Sequence, residues 1–376
     1  MKDTLLFFSY WYPYPGNPGQ GLFVKRHAQA IAKQKDILVL AVHVIKGKVL
    51  FQTSLHIEKD EQQVETHHLY LSSIFPKLLY VCLPLQTMVI RKHIQKIILQ
   101  KNTIRILHSN VLFPCAIVGN AISRKLGFKQ VITEHWSKID KFFRVSIYKN
   151  HGKRALAEAS FITCVSESLM QTVRRYTSSA HGSVVPNVID HRAFFYQPQI
   201  KKHAVFSFIA VAHWNPPKNP MLFVQALESL QKEHKLPAFE LVMVGTGPLL
   251  DQIKTMPLSF SIRHIEALAP ALLAEELNRC HVFLHGSDYE TFSVVIAEAL
   301  SCGLPVVVSD VGIAREVVNA SNGFICAPNN EDWKKNIELC VNKLYDASKI
   351  SDQMAQRYSE EKVGQQFLRL YQKISS

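Results

Sequence analysis

The stretch SDYETFSVVIAEALSCGLPVVVSD, residues 287–310, decides the reading of this chain. It follows a short apolar strand at residues 282–284 and reads as a turn, a helix and a second strand, with Glu290 and Glu298 eight positions apart. Glu298 stands among Val294, Val295, Ile296, Ala297, Ala299 and Leu300, where a charged carboxylate is costly unless something pairs with it. A pair of ligand hydroxyls is such a partner. Glu290 lies just outside the strand, ahead of a helix whose first free amides, near residues 293–295, point at whatever occupies the adjoining crevice. Those donors suit a diphosphate. The plainer reading of either Glu alone is that it offsets the helix macrodipole.

Context favours a ligand. CGLPVVVSD supplies a Gly-Pro turn and a buried-type strand, and GIAREVV and NGF follow with further turns. Residues 281–328 resemble the signature of glycosyltransferase family 4, retaining enzymes of GT-B fold. The resemblance implies that Glu290, first of an E-x7-E pair, contacts the donor sugar and that Glu298 holds the ribose hydroxyls. It implies phosphate binding by the amides of the turn at Phe292, Ser293, Val294 and Val295. The family usually has Gly where Thr291 and Ser293 stand, so a less close approach of backbone to phosphate is expected, with Ser293 able to cap the helix.

Upstream, VFSFIAVAHWNPPKNPMLFVQALESL predicts a buried strand, a loop and an amphipathic helix with Leu222, Phe223, Ala226, Leu227 and Leu230 on one face. A loop ending at a helix N-terminus attracts anions, and Lys218 adds a full charge there. A loop lysine by itself is ordinarily solvated surface. In the resembled family an Arg and a Lys five residues apart clasp the diphosphate; Lys218 matches the Lys, while His213 stands at the Arg position and would carry charge only in a pH-dependent way. The later FELVMVGTGPLLDQI has a G-x-G turn but no third Gly at dinucleotide spacing, so it reads as a structural turn.

A chain of 376 residues suits two domains. Strands alternate with helices throughout, which predicts an α/β protein with parallel sheets whose crevices lie at the carboxyl ends of the strands. With the resemblance this becomes GT-B: two Rossmann-like domains facing across an interdomain crevice. The expected organisation is an acceptor-binding domain over 1–190, a nucleotide-sugar domain over 203–350, and a helix over 351–376 that crosses back to the first. PNVID resembles the family's interdomain turn, with Val188 in place of a Gly.

In the first domain the apolar opening is too short and too interrupted by Pro for a membrane span or signal peptide, and reads as a strand. The loop at residues 19–21 precedes a helix; it is either a plain turn or a place where backbone approaches a ligand. The resemblance assigns Gly21 to a glycine loop facing the donor. His135, in VITEHWSK, ends a buried strand, where a lone His is ordinarily structural; the resemblance places it near the reacting sugar, with Glu134 as a weaker candidate. Ser166 matches a family serine at a strand-to-helix junction, for which helix capping is the default account.

Residues 1–190 carry 25 Lys and Arg against 11 Asp and Glu, whereas residues 191–376 carry 18 against 19. The surplus flanks apolar runs at 78–101 and 138–154, a composition suited to an anionic membrane surface. A solvated basic face is the plainer alternative, and no nucleic-acid motif is found. Seven scattered cysteines without a C-x-x-C pair indicate neither a disulfide framework nor a zinc site, and a reducing cytoplasm is expected, with peripheral attachment to the inner face of the cell membrane.

These readings converge on a retaining glycosyltransferase of surface polysaccharide or glycolipid assembly, taking a UDP or GDP sugar as donor and a glycan or lipid-linked glycan as acceptor. No metal or other cofactor is expected. Glu290, Lys218 and His135 are the expected catalytic residues; Gly21, His213, Lys218, the 292–295 turn and Glu298 are expected to bind donor. A nucleotide-sugar epimerase and a catalytically silent nucleotide-sugar-binding module remain open alternatives.

Overall fold

The computed structural model describes residues 3–100, 103–177 and 181–375. The chain divides into two compact units, one of Met1–Val188 with Glu360–Ser376 and one of Ile189–Ser359.

In the first unit the strands are β1 (Asp3–Ser9), β2 (Ile37–Lys46), β3 (Gln52–Lys59), β4 (Glu65–Ser73), β5 (Thr103–Asn110), β6 (Lys129–Glu134), β7 (Phe161–Cys164) and β8 (Gly182–Val184). Its helices are α1 (Leu22–Ala32), α2 (Pro76–Val81), α3 (Leu83–Gln100), α4 (Ile117–Leu126), α5 (Ile139–Val145), α6 (Lys149–Glu158) and α7 (Glu167–Arg174). The sheet order is β3-β4-β2-β1-β5-β6-β7-β8. All neighbours pair in parallel, as expected, except the edge strand β3, which runs antiparallel to β4. Every residue of β3 is exposed. Lys101, which ends the basic apolar run from residue 78, lies outside the described residues.

The second unit contains β9 (Phe206–Val211), α8 (Met221–Lys232), β10 (Phe239–Val244), α9 (Pro248–Lys254), β11 (Ser261–Ile265), α10 (Pro270–Arg279) and β12 (Val282–His285). It continues through α11 (Val294–Ser301), β13 (Val306–Ser309), α12 (Ala314–Val317), β14 (Gly323–Cys326), α13 (Asn330–Val341) and α14 (Ala347–Tyr358). Its six strands are all parallel, in the order β11-β10-β9-β12-β13-β14. The order reverses between β9 and β12, so the loops leaving those two strands diverge and open a crevice. The core beneath it includes Phe208, Phe223, Leu227, Leu284, Val307 and Trp333. Continuous apolar strands such as Val306, Val307 and Val308 are what a sheet covered on both faces demands.

The expected single helix over 351–376 is two helices, broken at Ser359: α14 belongs to the second unit, and α15 (Glu360–Ser375) to the first. On α15, Val363, Phe367, Leu370 and Tyr371 are buried at helical spacing and join Val24, Ala28 and Ile31 of α1 in one core.

Candidate functional site

The crevice of the second unit is built by two loops sewn together through their backbones. Lys218 pairs with Ser287 in an isolated antiparallel bridge, Asn219 N donates to Gly286 O at 3.0 Å, and Asp288 N donates to Pro217 O at 2.9 Å. The Asn219 side chain adds a bond to Asp288 Oδ1 at 3.0 Å. This lacing fixes Lys218, from the loop after β9, against the Glu290 carboxylate, from the loop after β12.

His285, the last residue of β12, completes the cluster. Its Nε2 lies 3.2 Å from Glu290 Oε1 and 3.1 Å from Ser293 Oγ, with the ring almost wholly buried. Burial pushes the imidazole below its ordinary range, as does the Lys218 ammonium, while Glu290 pulls the other way. Burial would raise the Glu290 carboxyl, but the hydrogen bond from His285 and the Lys218 ammonium outweigh it and bring it down to about 2. An ionised carboxylate only accepts, so Nε2 carries the imidazole proton. Sequence reasoning missed His285, although its place at a strand end, five residues before Glu290, was a usable signal.

Ser293 precedes α11 in the left-handed region, φ 69° and ψ 73°. Its side chain makes no capping bond, contrary to expectation, because the hydroxyl is turned to His285. Left-handed backbone costs a non-glycine residue about 1–2 kcal/mol, which gives a physical reason for glycine at this position in the resembled family. Ile296 N is already bonded to Ser293 O at 3.2 Å, so the amides open for an anion in this first turn are those of Val294 and Val295. The Phe292 ring packs edge-on against Tyr358 at 5.8 Å and its carbonyl accepts from Ile313 N at 3.0 Å. Its side chain is buried. Glu298 is buried in the second turn of α11. His213 is exposed just beyond β9, with its backbone carbonyl accepting from Asn215 N.

In the first unit, Gly21 has φ 66° and a Cβ there would sit 2.3 Å from the Trp11 carbonyl oxygen, so the fold itself requires glycine before α1. Glu134 is fully buried, and its oxygens accept from the amides of Leu112 at 2.8 Å, His135 at 2.8 Å and Trp136 at 2.7 Å. Burial raises its carboxyl to about 7 against those three bonds. This carboxylate organises backbone, which accounts for it without a role at the sugar. His135 is buried between Phe23 and His27, ring centroids 4.9 and 5.3 Å away. Burial, then His27 and His108, drive it well below its ordinary value; Asn187 acts in the opposite sense. Asn187 lies close to the ring, but among the described residues neither His135 nitrogen nor Asn187 Oδ1 makes a hydrogen bond of good geometry. Ser166 caps α7, accepting from Leu169 N at 3.3 Å.

Among the described residues, His203, Glu276 and Cys280 bring metal-ligand atoms within 4.8 Å of one another. Arg263 Nη2 donates to Glu276 Oε1 at 2.5 Å, so a guanidinium already supplies the positive charge there. No metal is needed to account for the cluster.

Residues 194–359 match the family described as glycosyl transferases group 1, and residues 19–193 match glycosyltransferase family 4. The chain belongs to the family 4 glycosyltransferases. This glycosyltransferase is 22% identical, over 98% of its length and 80% of the relative's, to the phosphatidylinositol N-acetylglucosaminyltransferase gpi3 subunit of Schizosaccharomyces pombe. Its fold is GT-B, with two Rossmann-like units. It is similar to sucrose-phosphate synthase from Thermosynechococcus elongatus, with a TM-score of 0.76, 16% identity and 99% of each chain covered. Anabaena HepE, solved in complex with UDP and glucose, gives a TM-score of 0.72 at 17% identity, covering 99% of the glycosyltransferase and 100% of HepE.

Proposed function

We propose that this glycosyltransferase moves a sugar from a nucleotide diphosphate donor to an acceptor hydroxyl with retention of configuration. The observation that carries the proposal is the Lys218–Glu290–His285 cluster at the strand-order reversal, beside the amides of Val294 and Val295. A diphosphate seated there meets a cation and a helix N-terminus, which together stabilise charge as the leaving group departs. Glu290, ionised and held from two sides, orients the sugar hydroxyls, and Glu298 takes the ribose hydroxyls. Gly21, His135 and His213 keep in this reading the roles that the resemblance gives them.

The UDP bound by HepE supports a UDP or GDP sugar as donor. The phosphatidylinositol in the name of the yeast relative supports a lipid-linked acceptor, in surface polysaccharide or glycolipid assembly. The positive surplus of residues 1–190 supports a membrane partner of anionic charge.

Titration calorimetry with UDP and GDP, paired with a transfer assay, tests the division of roles. Glu298→Gln should weaken nucleotide binding by about 1.5–3 kcal/mol. Glu290→Gln should leave nucleotide affinity nearly intact while depressing transfer. Equal losses of nucleotide affinity in the two variants reject the assignment.

A further inference from the structure

We propose that the first unit carries a pocket for the phosphate headgroup of an anionic membrane lipid, in the groove bounded by α3, α4 and the start of α6. The proposal rests on the membrane reading above and gives it a location. The groove holds a cavity of about 300 Å³. Leu83, Met88 and Ile117 make its lining apolar, and Tyr148 stands beside them. Cations reach it from three helices: Arg91 on α3, Arg124 and Lys125 in the last turn of α4, and Arg154 on α6. Among the described residues no Asp or Glu lines it. Glu158 approaches from outside, 3.7 Å from Arg124 Nε, and accepts a hydrogen bond from Asn120 at 3.1 Å. Four cations thus face one carboxylate.

The second observation is a buried donor. Arg91 Nε is shielded from solvent and has no hydrogen-bond partner among the described residues. Burying such a group unsatisfied is costly, and an anionic oxygen in the cavity would satisfy it.

Apolar surface beside the cavity distinguishes a lipid from a soluble anion. The Tyr148 hydroxyl donates to the Val81 carbonyl at 2.6 Å, which joins the end of α2 to the start of α6. At this junction Leu78 is 66% exposed, Val81 40%, Val145 72% and Ile147 84%. Aliphatic side chains in water next to converging guanidinium groups have the composition of an interfacial anchor: the aliphatics enter the acyl boundary and the cations hold the headgroups. Single-stranded nucleic acid would call for successive exposed aromatic platforms, whereas here four aliphatics stand beside one exposed aromatic, Phe75 at 56%.

The test uses the whole chain, sedimented with phosphatidylcholine vesicles with and without phosphatidic acid, at low and at physiological salt. Binding should require the anionic lipid and fade as salt rises. Arg91→Gln and Arg154→Gln should each lower partitioning about fivefold, with thermal unfolding confirming the fold. Ile147→Ser should also reduce partitioning, and Lys335→Gln, exposed on α13, should not. Short-chain phosphatidic acid below its micelle concentration should raise the melting temperature of the native chain but not that of Arg91→Gln. Unchanged vesicle binding by both arginine variants overturns the pocket and leaves the membrane reading standing. Absence of binding to anionic vesicles overturns both. Equal protection by inorganic phosphate overturns the lipid assignment in favour of a simple anion.

Discussion

At the scale of single residues, the site depends on Ser293 being held where a side chain is disfavoured. Its hydroxyl bonds His285 while its backbone sits at positive φ. Replacement by Ala keeps the strain and loses the bond. Replacement by Gly loses the bond as well but relieves about 1–2 kcal/mol of strain, against about 0.5–1 kcal/mol of added chain entropy in the unfolded state. Ser293→Gly should therefore be more stable in urea than Ser293→Ala by about 1 kcal/mol. An Ala variant as stable as the Gly variant would show that the left-handed turn is absent. The sequence made Glu290 and Lys218 candidates separately, one at a helix start and one as a loop cation beside another helix start, and did not pair them. It could not show that a strand-end histidine would turn toward them, since ring direction depends on the register of β12 and on the loop that follows.

At the scale of elements, α15 shows what a pattern can and cannot convey. Its apolar spacing at Val363, Phe367, Leu370 and Tyr371 is readable as one buried face, but the partner of that face is not. The structure supplies α1, at a distance set by Gly364, where a Cβ would stand 2.3 Å from the Ala30 carbonyl oxygen. Backbone cannot yield as a flexible side chain does, so Gly364→Ala should force α15 outward and cost about 1–3 kcal/mol. Hydrogen exchange on the α1 and α15 amides checks this; unchanged protection would mean the helices are less close than described. Alternation of strands and helices made both sheets legible. The antiparallel β3 was not, because its wholly exposed residues leave no burial pattern, and the break at Ser359 was not, because both flanking segments are good helix formers.

At the scale of the whole molecule, the first unit stores an acid-sensitive core. His108 joins β5, β6 and α15, with Nδ1 2.6 Å from the Tyr371 hydroxyl and Nε2 2.6 Å from the Thr133 hydroxyl. Burial depresses it to about 3, and burial depresses His27 to about 4 despite its bond to the Pro186 carbonyl. His135 is driven down by the same cause. These groups stay neutral in the fold and titrate near 6.5 when unfolded, so below about pH 6.5 the unfolded chain binds more protons and stability falls with falling pH. Glu134 works against them, since its raised carboxyl takes a proton in the fold between its folded value of about 7 and its ordinary 4.5. From pH 7 to 5.5 the histidines cost the fold more than the single Glu134 returns, leaving a net loss on the order of 2 kcal/mol. Hydrogen exchange on β5 and α15 should therefore show protection dropping across that interval in native protein. His108→Gln, which can still bond both hydroxyls without titrating, should lessen the drop by about a third of the histidine contribution. A pH-independent profile in the native chain would mean that water reaches these rings and that the core is not the dry one its packing implies.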